Sequence, residues 1–197
     1  MTWVYKESNN VNPISLSEKQ NNALLIYGQL NGYGWSLNAI SGLLGNIERE
    51  SYINPAQWQI GYTIGSTSAG FGLVQWTPSS KYINWANSAN HNKYNGYWQV
   101  YCIDAQPYGT EWLQTSSFPI TYDDFKTSNE SVAYLTEAFL KNYERAGVEA
   151  LQDRITKAEY WYTFLSGEEP PLPPEPDPDP SIITKSMPLW LMCKRIF

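Results

Sequence analysis

One helical stripe that closes on a proline constrains this chain more than any other feature. Ile40, Leu43, Leu44 and Ile47 recur at offsets of three, four and seven, the spacing of one buried face of an α-helix. The pattern predicts a helix over 36–51, and Asn54-Pro55 stops it by forcing an extended or turned backbone. At about 100° per residue, Glu50 falls beside Leu43 and Ile47 on one edge of the stripe, and Glu48 beside Leu44 on the other. Arg49 points to water. A carboxyl at such an edge is half withdrawn from solvent yet able to reach a groove. Desolvation disfavours the carboxylate and raises its pKa from about 4.3, which is what a general acid in glycoside cleavage needs near neutral pH. Periodicity does not choose between Glu48 and Glu50, and two surface glutamates in a last helical turn satisfy the same pattern.

A chain of 197 residues has room for one well-buried domain and an appendage. Its net charge of -6 and lack of basic runs argue against a nucleic-acid partner, because phosphate calls for clustered Lys and Arg. Nine Trp and fifteen Tyr exceed what a core of this size needs. Flat rings with a polar edge suit carbohydrate, although an aromatic-rich core reads the same way. Cys102 and Cys193 lie in different segments, so no disulfide framework is expected. His91 is the lone histidine, in a polar Asn-rich stretch. It is expected to be a solvated loop residue, and neither a multi-histidine metal site nor a Ser/His/Asp arrangement can be assembled. Residues 1–10 lack the basic start and apolar run of a secretory signal. No stretch approaches the roughly 20 apolar residues of a membrane span. Synthesis in the cytoplasm, with delivery to a substrate elsewhere, is the expectation.

Along the chain, Ser17 with Gln20 reads as a capping box opening a first helix to about residue 30, with Ala23, Leu24 and Tyr27 inward. From 57 to 78, glycines at 61, 65, 70 and 72 punctuate short Ser, Thr and β-branched runs, predicting a small β-hairpin or irregular lobe. A helix is expected over 79–87, while 90–123 carries no clear pattern. Thr127 with Glu130 reads as a further capping box before the stripe Val132, Leu135, Phe139 and Tyr143, which Gly147 closes. A last helix is expected over 148–165, with Leu151, Ile155, Ala158, Tyr162 and Leu165 inward and Gly167 as its stop. The domain expected over 1–167 is followed at 168–180 by alternating prolines and carboxylates, an extended and self-repelling spacer. Residues 181–197 form an apolar and basic tail, read as a docking peptide or the start of a further module.

Four segments resemble the tail-associated lysozymes of bacteriophages. They are Gly45-Asn46-Ile47-Glu48-Arg49-Glu50-Ser51-Tyr52-Ile53-Asn54-Pro55; Ser68-Ala69-Gly70-Phe71-Gly72-Leu73-Val74-Gln75-Trp76-Thr77-Pro78; Tyr82-Ile83-Asn84-Trp85-Ala86; and Phe139 with Asn142-Tyr143-Glu144-Arg145 and the closing Ala158-Glu159-Tyr160-Trp161-Tyr162. The resemblance covers residues 34–167. It departs at Ala146, where the family often has proline, and over 90–123. It implies a mainly α (α+β) fold, a goose-lysozyme-like and lytic-transglycosylase-like helical domain whose β-hairpin lobe lines a saccharide groove.

By the same resemblance Glu50 takes the catalytic position, and Trp58, Gln75, Trp76 and Tyr143 are the expected substrate contacts. The implied activity is cleavage of the β-1,4 bond between N-acetylmuramic acid and N-acetylglucosamine in peptidoglycan. A lytic transglycosylase giving anhydro products and a non-catalytic wall-binding tail module are the alternatives. A second carboxyl partner is not fixed by sequence, and Glu48, Asp104 and Glu144 are the candidates for a helper role. No cofactor and no metal are implied. The implied partners are peptidoglycan glycan strands and phage tail proteins, and the implied location is a virion tail, or the host cytoplasm before release to the wall.

Overall fold

The computed structural model describes residues 1–145 and 150–167. The expectations for a helix stop at Gly147, the spacer at 168–180 and the tail at 181–197 lie outside the described residues.

The first helix, α1, spans Leu16–Gly32. It opens on Ser15, not Ser17. The Ser15 amide donates to Glu18 Oε2 at 2.6 Å while the Glu18 amide donates to Ser15 Oγ at 3.4 Å. Ser15 and Glu18 satisfy the same four-residue pattern as Ser17 and Gln20, but with a charged acceptor, which the positive end of a helix favours. The inward face is Ala23, Ile26 and Leu30, with Lys19 and Asn22; Leu24 and Tyr27 sit at its margin.

Helix α2, Leu37–Ser51, is capped by Ser36, whose Oγ accepts from the Ala39 amide. It is buried well beyond the single stripe, because α7 (Leu151–Ser166) and α6 (Val132–Phe139) lie along it and α1 and α5 (Tyr122–Thr127) also touch it. Small residues make the close approaches possible. A Cβ at Gly45 would stand 2.7 Å from the Ala158 Cβ and closer still to the Arg154 carbonyl, and one at Gly42 would meet the Thr136 amide at 3.0 Å. Asn46 ties the three helices, its Nδ2 donating to the carbonyls of Gly42 and Thr136.

Beyond α2 the chain turns through Tyr52 and Ile53, both at φ 57°, a left-handed conformation uncommon for residues with a side chain. Asn54 then pins the N-terminal segment, accepting from the Lys6 amide and donating to the Lys6 carbonyl. The lobe that follows is irregular. Among the described residues, isolated bridges pair Trp58 with Phe71, Phe71 with Trp76, and Ser8 with Gln57, and the expected β-hairpin ladder is not formed. Positive φ at Gly72 and Gln75 folds the chain back on itself too tightly for two continuous strands.

Helix α3 spans Ser80–Ser88, near the expected range. The unreadable stretch contains α4, Gly96–Ala105, capped by Asn95, and leads into α5. Thr127 is the last residue of α5, so the cap of α6 is Ser131, whose Oγ accepts from the Tyr134 amide. Leu140–Glu144 then widens into a π-helical turn ending at Arg145, φ 50°. Helix α7 ends on Gly167 at φ 79°. Its deepest residues are Arg154, Ala158 and Trp161, whereas Leu151, Ile155, Tyr162 and Leu165 are half-buried. His91 is not a free loop residue: it is half-buried and stacked on Trp98 at 3.5 Å between ring centroids.

Candidate active site

The last turn of α2 presents its two glutamates in different directions. Glu48 turns towards α1 and α7, where its Oε1 accepts from Lys19 Nζ at 3.0 Å and its Oε2 from Trp161 Nε1 at 2.8 Å. It is an interior ion pair. Glu50 turns towards a cavity of about 350 Å³ enclosed by the end of α2, the irregular lobe, the start of α3 and the π-helical turn. Its side chain is 21% exposed. Of the two glutamates that periodicity left equivalent, only Glu50 lines the cavity.

All five residues expected at the site line this one cavity: Glu50, Trp58, Gln75, Trp76 and Tyr143. They reach it in different ways. Trp58 is 1% exposed and its Nε1 donates to Glu7 Oε1. Trp76 lies flat against Tyr82, centroids 4.6 Å apart, so one face of its ring is already covered. Its Nε1 is shut from solvent with no hydrogen-bond partner. Tyr143 stacks on Phe139 at 4.5 Å. Gln75 donates from Nε2 to the carbonyls of Gln57 and Gly72, both at 3.0 Å. Its two amide hydrogens are therefore committed to holding the lobe, and Oε1 is what it retains for a ligand. The wall also includes Gln59, Ile60, Lys81, Glu111, Glu144 and Arg145.

Arg154, for which the sequence suggested no role, sets the charge behind Glu50. It is 2% exposed, donates through one guanidinium nitrogen to Asn46 Oδ1 at 3.0 Å, and through the other to Glu50 Oε1 at 2.5 Å. The signal was available, because Arg154 shares a helical face with Ala158 and Trp161. A cation on a buried face must find a carboxylate. At the rim, Lys81 Nζ and an Arg145 guanidinium nitrogen flank Glu111 at 2.7 and 3.6 Å. Arg145 also donates to the carbonyls of Glu111 and Asn142.

The desolvation expected at Glu50 is found at Glu144, a half-buried residue whose Oε1 is shut from solvent. Desolvation pushes the Glu144 carboxyl well above the usual range; the Glu50 and Glu111 charges add to this, and Arg154 and Arg145 oppose it. Of the other helper candidates, Asp104 accepts from Trp35 Nε1 at 2.8 Å and pairs with Lys126. It is not among the cavity-lining residues. Among the described residues, no group of three or more His, Cys, Asp or Glu is disposed to hold a metal ion, and no helix is long and apolar enough to cross a membrane.

Comparison with known proteins supplies the context for this geometry. The profile of the family described as phage tail lysozyme matches residues 21–165. Morphogenesis protein 1 of Bacillus phage B103 is 39% identical over 156 residues, which is 79% of this chain and 42% of that protein. The chain thus spans about two fifths of the length of the curated relative it matches. The matched segment contains Glu50 and every other residue that encloses the cavity, and this chain belongs to the phage tail lysozyme family.

Proposed function

We propose that the chain is a muramidase of the phage tail type, cutting the β-1,4 bond between N-acetylmuramic acid and N-acetylglucosamine, with Glu50 as the general acid. The observation that carries this reading is that Glu50, and not Glu48, reaches a cavity walled by Trp58, Gln75, Trp76 and Tyr143. With Oε1 held by Arg154, the Glu50 carboxyl has a fixed orientation and a second oxygen left for the glycosidic bond. It gives a proton to the leaving oxygen as positive charge builds on the anomeric carbon, and water completes the hydrolysis.

The family points to a virion tail as the setting, with peptidoglycan as substrate and tail proteins as neighbours. The test is substitution at both glutamates of α2. Glu50→Gln is expected to fold normally and to lower the clearing of purified cell walls by about 10²-fold or more. Glu48→Gln should lose some thermal stability with its ion pair but keep activity wherever it is folded. Clearing by Glu50→Gln at the wild-type rate would overturn the assignment. Binding to walls by the wild type without release of fragments would favour a non-catalytic tail module instead.

A further inference from the structure

A general acid pressed against a guanidinium needs a reason to be holding a proton. Arg154 holds Glu50 Oε1 at 2.5 Å. The counterweight stands across the cavity. The π-helical turn Leu140–Glu144 ends with Glu144 lining the same cavity as Glu50, and wide turns of this kind often occur where a side chain is diverted to a functional site. Glu144 Oε1 is sealed from solvent and meets no hydrogen-bond donor, a costly state for a carboxylate and a tolerable one for a carboxylic acid.

We propose that Glu144 is the proton-holding partner of Glu50, the two carboxyls carrying a single proton between them, and that this is the proton delivered to the glycosidic oxygen. The inference rests on Glu50 being the acid. Glu144 acts through Glu50 and is a positioning residue.

The charges around the pair fit one shared proton. From α2 comes Glu50; from α7, Arg154; from the chain before α5, Glu111; and beside Glu144 itself, Arg145. Lys81 and Arg145 flank Glu111, and Arg154 is bonded to Glu50. The hydroxyl of Tyr143, raised by its own burial, stays neutral and adds no charge. Burial and the neighbouring Glu50 keep Glu144 in its acid form well above the usual carboxyl range. Two carboxyls that repel each other across one cavity cannot both ionise cheaply, and the proton belongs to the pair.

In the resting enzyme the proton is held at Glu144. When the glycosidic oxygen enters, the proton passes from Glu144 to Glu50, and Glu50 yields it to the leaving oxygen, which keeps the electron pair of the broken C–O bond. Glu144 is left ionised, faced by Arg154 and Arg145. The proton shed by the water that attacks the anomeric carbon restores the pair.

The test is the pH profile of wall hydrolysis by the wild type, Glu144→Gln, Glu144→Asp and Glu50→Gln, with folding checked by circular dichroism. Glutamine at 144 can neither store a proton nor repel one onto Glu50. The alkaline limb should therefore move down by about one pH unit or more, activity at neutral pH should fall at least about tenfold, and acidification should restore it. Glu144→Asp should keep a limb near the wild-type position. An alkaline limb of Glu144→Gln that superimposes on the wild type, whatever the loss of amplitude, would show a merely structural role and overturn the proposal. If Glu144→Gln does not fold, 13C titration of glutamate carboxyls in the wild type decides: one carboxyl still protonated at neutral pH supports the shared proton, and none overturns it. Activity in Glu50→Gln would instead remove the underlying assignment of the acid.

Discussion

Arg154 joins the candidate site to the helical core. Its side chain is buried, held by Asn46, and aimed at Glu50. Removing it leaves a carboxylate without its cation in the interior, which costs about 3–5 kcal/mol. Arg154→Met should therefore lower the melting temperature by about 6–20 °C in a chain of this size. The sign of its second effect is distinctive. A guanidinium lowers the pKa of a neighbouring carboxyl, so its loss raises that of the pair and moves the alkaline limb of activity to higher pH, opposite to Glu144→Gln. Thermal unfolding and a pH–rate profile on the folded fraction check both statements. A limb that moves downward would contradict the charge arrangement described here. The place of Glu50 on the cavity wall was legible through the family motif, where the helical stripe and the break at Asn54-Pro55 alone left Glu48 equivalent. Arg154 was not read, because an arginine in an amphipathic helix is ordinarily placed on the wet face. That Gln75 spends its amide hydrogens on the lobe's own carbonyls was not legible either, because the positive φ at this residue has no signal in residue type.

At the scale of elements, the site depends on how closely α2 and α7 approach. The approach is set at Gly45, where a methyl group would collide with Ala158 and with the Arg154 carbonyl. Gly45→Ala gains helix propensity, but the backbone of α7 cannot yield as a side chain would. We expect a net destabilisation of about 1–3 kcal/mol, seen as a fall of about 2–12 °C in melting temperature. The outward shift of α7 also draws Arg154 from Glu50, so activity should fall more than stability at temperatures where the variant remains folded. A variant as active and stable as the wild type would show that the helices are not in limiting contact. Helix existence was legible wherever a stripe and a breaker coincided, as in α2 and α7. Caps were less so: Ser15 competes with Ser17 and Ser131 with Thr127, and only the tertiary setting of each helix start decides. The 90–123 stretch hid α4 because Gly96–Ala105 is apolar on most sides, so no polar face reports its period. The lobe was legible as irregular from its glycines, but the absence of a ladder follows from consecutive turns that composition does not order.

Over the whole molecule, a helical core presents one carboxyl from its central helix to a cavity that a strand-poor lobe walls with aromatic rings. The lysozyme-like helical character was legible from four motifs that acquire meaning together, and the family match over 21–165 bears it out. What the cavity does to a glycan strand is decided by the products. The most direct measurement is mass analysis of the fragments released from purified peptidoglycan by the wild type, with Glu50→Gln as the control. Disaccharide muropeptides ending in reducing N-acetylmuramic acid, formed by the wild type and absent with Glu50→Gln, are the predicted result. Anhydro-muramyl ends would show that the sugar's own 6-hydroxyl, and not water, completes the reaction, and intact glycan strands with cut peptides would contradict glycosidic cleavage at Glu50 altogether.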